Sequence, residues 1–175
     1  MKRYLANNVL KDLPQKMVFI TGPRQVGKTY LAKDLSTHFQ SVSYLNYDDL
    51  DGFKTINNRL WPRSNDLIIF DEIHKMKNWK QYLKGTFDTK DAHQKFLITG
   101  SARLETSRQT GESLAGRYFH YHLNPLSVKE LQNNLSPCDA LSALNQLGGF
   151  PEPFLSGSAI EAARWRKQYY TDLVR

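Results

Sequence analysis

"FITGPRQVGKTYLA", residues 19–32, contains the spacing G-x-x-x-x-G-K-T. The apolar run that leads into it, "KMVFIT" (16–21), reads as a buried strand. The run that follows, "KTYLAKDLSTHF" (28–39), places Leu31, Ala32, Leu35 and Phe39 at helical spacing. Glycines at 22 and 27 let the backbone between them turn tightly and aim its N–H groups into one concavity. The helix that follows points its positive end into the same concavity. A strand, a glycine turn and a helix start in this order form a cradle for phosphate oxygens. Gly22, Pro23, Arg24, Gln25 and Val26 would make the turn, Gly27 and Lys28 would close it, and Thr29 and Tyr30 would open the helix. Lys28 would reach the β- and γ-phosphates as a point charge, and Thr29 would set a hydroxyl on Mg²⁺.

Outward from this stretch, short apolar runs alternate with helical ones. "SVSYLNY" (41–47), "DLIIFDE" (66–72), "QKFLITGSA" (94–102) and "RYFHYHL" (117–123) read as four further strands. Residues 2–12 read as a helix ending before Pro14, and "NWKQYLKGTFDTK" (78–90) as another. "DDLDGFKTINNRL" (48–60) is expected to be a weaker helix, broken by Gly52 and stopped near Pro62. After Pro125 the chain turns helical through "LSVKELQNNL", "PCDALSALNQL" and "SAIEAARWRKQYYTDLVR", with a Gly/Pro-rich hinge at 148–157. The pattern predicts an α/β fold with a parallel sheet and a C-terminal helical appendage. The expected division is 1–124 for the α/β core and 125–175 for a helical, lid-like and truncated segment.

A chain of 175 residues can bury a real core. It has no apolar run long enough to span a membrane, and its N-terminus lacks the apolar centre of a secretion signal. Its single cysteine, Cys138, has no His or Cys at metal-ligand spacing. A cytoplasmic home is expected. The formal net charge is +7, spread along the chain without a block of like charges. Contact with nucleic acid therefore stays open as a partner class.

"LIIFDE" supplies the other half of a nucleotide site. An apolar strand that ends in two carboxylates is costly unless they are paired or at work, and ligands of open parallel sheets gather at that end. Asp71 would hold Mg²⁺ through its water shell, and Glu72 would orient or deprotonate an attacking water. Ser101 or Thr99, after the fourth strand, could hydrogen-bond the γ-phosphate or that water. Phosphoryl transfer also needs a cation at the γ-phosphate; Arg117, Arg103 and Arg108 are the candidates. His74 could sense the γ-phosphate or bridge to a partner. His120 and His122 share one strand face without a third ligand nearby, so no metal site is assigned there.

Taken together, "GPRQVGKT", "LIIFDEIHKMKNW", "FLITGSA", "ESLAGRYFHYHLNPLSVKEL" and "GGFPEPFL" resemble a family of bacterial and archaeal AAA+-type P-loop ATPases. The likeness runs from about residue 2 to the end. In that family the ATPase core is normally followed by a poorly characterised C-terminal domain. The resemblance implies a three-layer α/β/α sandwich with sheet order 5-1-4-3-2, ATP and Mg²⁺ as ligands, and hydrolysis of ATP. It implies Glu72 as the catalytic acid/base residue, Ser101 at the sensor position and Arg117 as the best-placed arginine, in cis or in trans from a second copy. Two features depart from the pattern: Ser101 stands where many AAA+ proteins carry Asn, and the chain stops at Arg175 where the family layout continues. The leading expectation is an ATPase that passes its nucleotide state to a partner or a further domain. The alternatives are a nucleotide-gated nucleic-acid-binding module with slow hydrolysis and, last, a small-molecule kinase.

Overall fold

Five short apolar runs become five strands: β1 (Met17–Thr21), β2 (Val42–Asn46), β3 (Leu67–Asp71), β4 (Lys95–Thr99) and β5 (Tyr118–His122). They form one sheet in the order β2-β3-β4-β1-β5, every pairing parallel. This is the expected 5-1-4-3-2 order read from the other edge. The computed structural model describes residues 2–101 and 114–174. It divides into two compact units, one spanning Leu5–Leu123 and the other joining Met1–Tyr4 to Asn124–Arg175.

In the first unit, β1 and β3 are buried at every position, as strands covered on both faces must be. The edge strand β5 is only half-buried throughout. Alternation sends Met17, Phe19, Ile68, Phe70, Phe96 and Ile98 to one face. They meet Ile56 of α3 (Leu50–Asn58) and Trp79 and Leu83 of α4 (Trp79–Asp88). Phe70 lies at the centre, stacked on Phe96 at 5.8 Å and met edge-on by Trp61 at 5.4 Å. The opposite face carries Val18, Ile20, Ile69 and Leu97, all fully buried. It is covered by α1 (Ala6–Asp12) and α2 (Lys28–Ser36) through Val9, Leu31 and Leu35. Each such side chain contributes about 1.5–3 kcal/mol of burial free energy.

Three local expectations are corrected. Gly52 does not break its helix: α3 runs unbroken, capped by Asp49, whose side chain accepts from the Gly52 N–H at 2.9 Å. A Cβ at Gly52 would stand 2.2 Å from the Asn46 carbonyl, so the glycine lets the helix start press against the end of β2. The stretch 148–157 is not simply a hinge, because α7 (Pro151–Ser156) forms within it. Proline at its first turn lacks an N–H that the helix would not have paired in any case. "LSVKELQNNL" yields only one turn, α5 (Val128–Leu131), held by a capping box between Ser127 and Glu130.

The second unit also contains α6 (Pro137–Leu147) and α8 (Ala159–Val174). Its interior holds a buried ion pair. Arg3 Nε donates to Glu130 Oε1 at 2.7 Å, and the Tyr4 and Ser127 backbone N–H groups donate to the same carboxylate at 3.2 and 3.1 Å. Phe150, Trp165 and Tyr169 form an aromatic cluster with ring centroids 4.6–4.9 Å apart.

Candidate functional site at the carboxyl ends of the strands

The loop between β1 and α2 takes three left-handed backbone positions, Gly22 (φ 147°), Gln25 (φ 62°) and Gly27 (φ 96°). Reversals of this kind turn successive N–H groups toward one hollow. Gly22 has no alternative: a Cβ there would lie 2.4 Å from the Leu123 carbonyl at the end of β5. Lys28 opens α2, is only 8% exposed, and donates through Nζ to the carbonyls of Gly22 at 3.0 Å and Pro23 at 2.7 Å. Burial holds its ammonium below the ordinary lysine value; Glu72 and Asp71 oppose that shift, and Arg24 adds to it. A buried cation whose hydrogen-bond partners are neutral carbonyls calls for anionic charge, and a polyphosphate fits that demand.

Asp71 ends β3 and is 4% exposed. Its Oδ2 accepts from the Thr29 hydroxyl at 3.0 Å and the Tyr44 hydroxyl at 2.6 Å, and its Oδ1 accepts from Thr99 at 2.6 Å. The two expected metal residues, Thr29 and Asp71, are thus in contact, an oxygen donor set that suits Mg²⁺. Tyr44 was not among the expected residues. It stands on β2 with the Lys33 ammonium 5.3 Å from its ring centre, and burial followed by the Asp71 hydrogen bond raises its phenol pKa. The only signal in sequence was a tyrosine two residues before the end of the strand that pairs with β3.

Glu72 leaves the strand in a left-handed conformation (φ 56°, ψ 19°) that a residue with a side chain rarely adopts. Its N–H donates to the Thr99 carbonyl at 3.1 Å. Its carboxylate is 3.6 Å from His74 Nε2 and 3.9 Å from Lys75 Nζ, and Lys75 also pairs with Asp48. Ser101 Oγ approaches the same His74 nitrogen at 3.4 Å. Glu72, His74 and Ser101 therefore stand together beside the cradle. A short 3₁₀ turn, Ile73–Lys75, brings His74 back toward Glu72.

Arg117 is not part of this group. Its carbonyl accepts from the N–H of Met17, the first residue of β1, so it lies at the opposite end of the sheet. The length of the strand puts about 13 Å between those levels. The guanidinium is engaged by Asp88 through Nε at 2.7 Å and Nη2 at 3.2 Å. Tyr30 is 59% exposed and faces away from the core. His120 Nε2 lies 2.8 Å from the Thr21 hydroxyl. Arg103 and Arg108 lie outside the described residues.

Residues 14–132 match the family described as the AAA domain. The chain belongs to the AAA domain family. It is 29% identical over 156 residues to uncharacterized proteins of Mycobacterium tuberculosis and Mycobacterium bovis, a match covering 89% of this chain and 34% of each relative. The chain thus spans about a third of the length of the curated relatives it matches. Among solved structures, this AAA domain resembles the Walker-type ATPase of Pyrococcus abyssi (TM-score 0.60, 13% identity, covering 97% of this chain and 71% of that one). It also resembles the RuvB Holliday junction branch migration motor of Thermotoga maritima (TM-score 0.54, 19% identity, 86% and 57%). These likenesses show the fold, and together with the family they make the chain a P-loop AAA-type ATPase core. Among the described residues, no helix of this AAA domain is long and apolar enough to cross a membrane.

Proposed function

We propose that this AAA domain binds ATP with Mg²⁺ and hydrolyses it. The observation that carries the reading is the contact between Thr29 at the start of α2 and Asp71 at the end of β3, beside the buried Lys28 ammonium. The loop N–H groups and Lys28 hold the phosphates. Thr29 and Asp71 hold the metal, which neutralises charge on the phosphate oxygens when bound. Tyr44 and Thr99 fix the Asp71 carboxylate. Glu72, turned out of the strand, takes a proton from the attacking water, and His74 and Lys75 hold it in place. Ser101 positions that water or the γ-phosphate. The change of nucleotide state is passed to a partner or to the remainder of a longer protein, and the basic surface leaves nucleic acid among the partner classes. Arg117, remote within one chain, can reach a γ-phosphate only if a second copy supplies it.

The test pairs two substitutions. Lys28→Ala should remove nucleotide binding, measured by fluorescent ATP-analogue titration. Glu72→Gln should keep binding and lose about 10²-fold or more in hydrolysis. Equal hydrolysis by Glu72→Gln and the parent chain would remove Glu72 from its role.

A further inference from the structure

The other end of the sheet carries a concentration of charge that the nucleotide reading does not use. A cavity of about 40 Å³, lined by Arg59, Trp61, Arg63, Thr89, Lys90 and Gln94, lies where β3 and β4 begin. Lys28 and Asp71 stand at the opposite ends of the strands, about 13 Å away along the strand direction. Among the described residues, the one carboxylate paired with any of the three cations is Asp91, 3.6 Å from the largely exposed Arg63.

Arg59 is exposed but held in place on one side. Its backbone adopts a left-handed conformation (φ 52°) at the end of α3, and its guanidinium stacks 5.2 Å from the Tyr82 ring centre. Its Nη2 passes over Gly85, where a Cβ would stand 3.2 Å away. A glycine inside α4 weakens the helix, and here it gives the guanidinium room. Lys90 is fixed by donation to the Gln94 carbonyl at 3.0 Å. Burial, and to a lesser extent the neighbouring Lys95, hold its ammonium below the ordinary lysine value.

We propose that this cavity binds a phosphate group. Arg59 and Arg63 offer paired N–H donors that match two oxygens of a tetrahedral anion, and Lys90 adds a point charge. The group is either free inorganic phosphate or a phosphodiester of single-stranded nucleic acid, whose adjacent base could lie on the Trp61 face.

The Trp61 indole N–H, assigned with Trp61→Phe, is the reporter in ¹⁵N-labelled protein. Inorganic phosphate is titrated against sodium chloride of equal ionic strength in the Lys28→Ala background, which removes the nucleotide loop as the source of any effect. The expected result is a saturable shift that weakens by at least about tenfold in Arg59→Gln with Lys90→Gln. If that pair disturbs the end of α3, Lys90→Gln alone should still weaken it. A short oligothymidylate that shifts the indole at lower concentration than phosphate identifies a nucleic-acid backbone; a shift by phosphate alone identifies the free anion. A shift equal to that of chloride, or one that both substitutions leave intact, overturns the proposal.

Discussion

Glu72 combines a left-handed backbone with the proton-accepting role proposed for it. A non-glycine residue in the left-handed region costs about 1–2 kcal/mol, and Glu72 occupies it at φ 56°. Glu72→Gly should therefore unfold at higher denaturant, by up to about 1 kcal/mol after the entropy of the unfolded glycine is set against the relieved strain. The same substitution should abolish hydrolysis. Glu72→Gln, which keeps the strain, should show no such gain in urea denaturation. Tyr44 yields a separate expectation. Loss of its hydroxyl in Tyr44→Phe leaves Asp71 with Thr29 and Thr99 as donors. Supporting groups around a metal ligand are worth about 10–100-fold in metal affinity. Mg²⁺ titration of nucleotide binding should show a loss of that order, with metal-free binding little changed. That Lys28, Thr29, Asp71, Glu72 and Ser101 lie at one end of the sheet could be read from the sequence, because local spacing ties each to a strand end or a glycine turn. Tyr44 was not, because its partner lies 27 positions away and only the parallel register of β2 on β3 brings them together.

At the scale of elements, each strand could be read from its own apolar run, and the strand order followed from a likeness to known ATPases. The roles of the glycines were harder to read, since a glycine that breaks a helix and one that admits a neighbour look alike in sequence. Helix propensity alone says that Gly52→Ala should stabilise α3 by about 1 kcal/mol. The Asn46 carbonyl, 2.2 Å from the added Cβ, reverses the sign. The expected cost is about 1–3 kcal/mol, read from chemical denaturation. The end of α4 offers a test in pH. Arg117 hydrogen bonds hold the Asp88 carboxyl below its ordinary 3.8, against a smaller effect of desolvation. A lowered carboxyl pKa adds stability that is present above 3.8 and lost as pH falls through the lowered value. Asp88→Asn should thus be less stable than the parent chain near pH 6, and the gap should close on acidification below 3.8.

At the scale of the whole molecule, the chain's first residues belong with its last third. Arg3 and Glu130 are 4% and 7% exposed, and removal of one partner leaves a buried charge. Arg3→Ala should cost the second unit about 3–5 kcal/mol, seen as faster amide hydrogen exchange in α5 and α6. Nothing in "MKRYLANN" announced this, because an ion pair across 127 positions leaves no local pattern. The position of Arg117 sets another test. If a second copy supplies it, turnover per chain should rise with protein concentration, and Arg117→Ala should flatten that rise. Turnover independent of concentration and indifferent to Arg117→Ala would remove this residue from the catalytic set.

The strand order also fixes when during synthesis the nucleotide loop can settle. β1, which carries the loop, is among the first segments to be made, yet its neighbours come late: Val18 pairs with Leu97 and Met17 with Tyr118. Until β4 has left the ribosome, β1 has neither of its neighbours, and until β5 follows it keeps one open edge. Such edges invite pairing with other chains. Gly22 rests against Leu123, so the loop receives its last support only when nearly all of the sheet unit exists. A nascent chain halted soon after Thr99 should bind ATP poorly and aggregate readily, whereas one extended well past Leu123 should do neither.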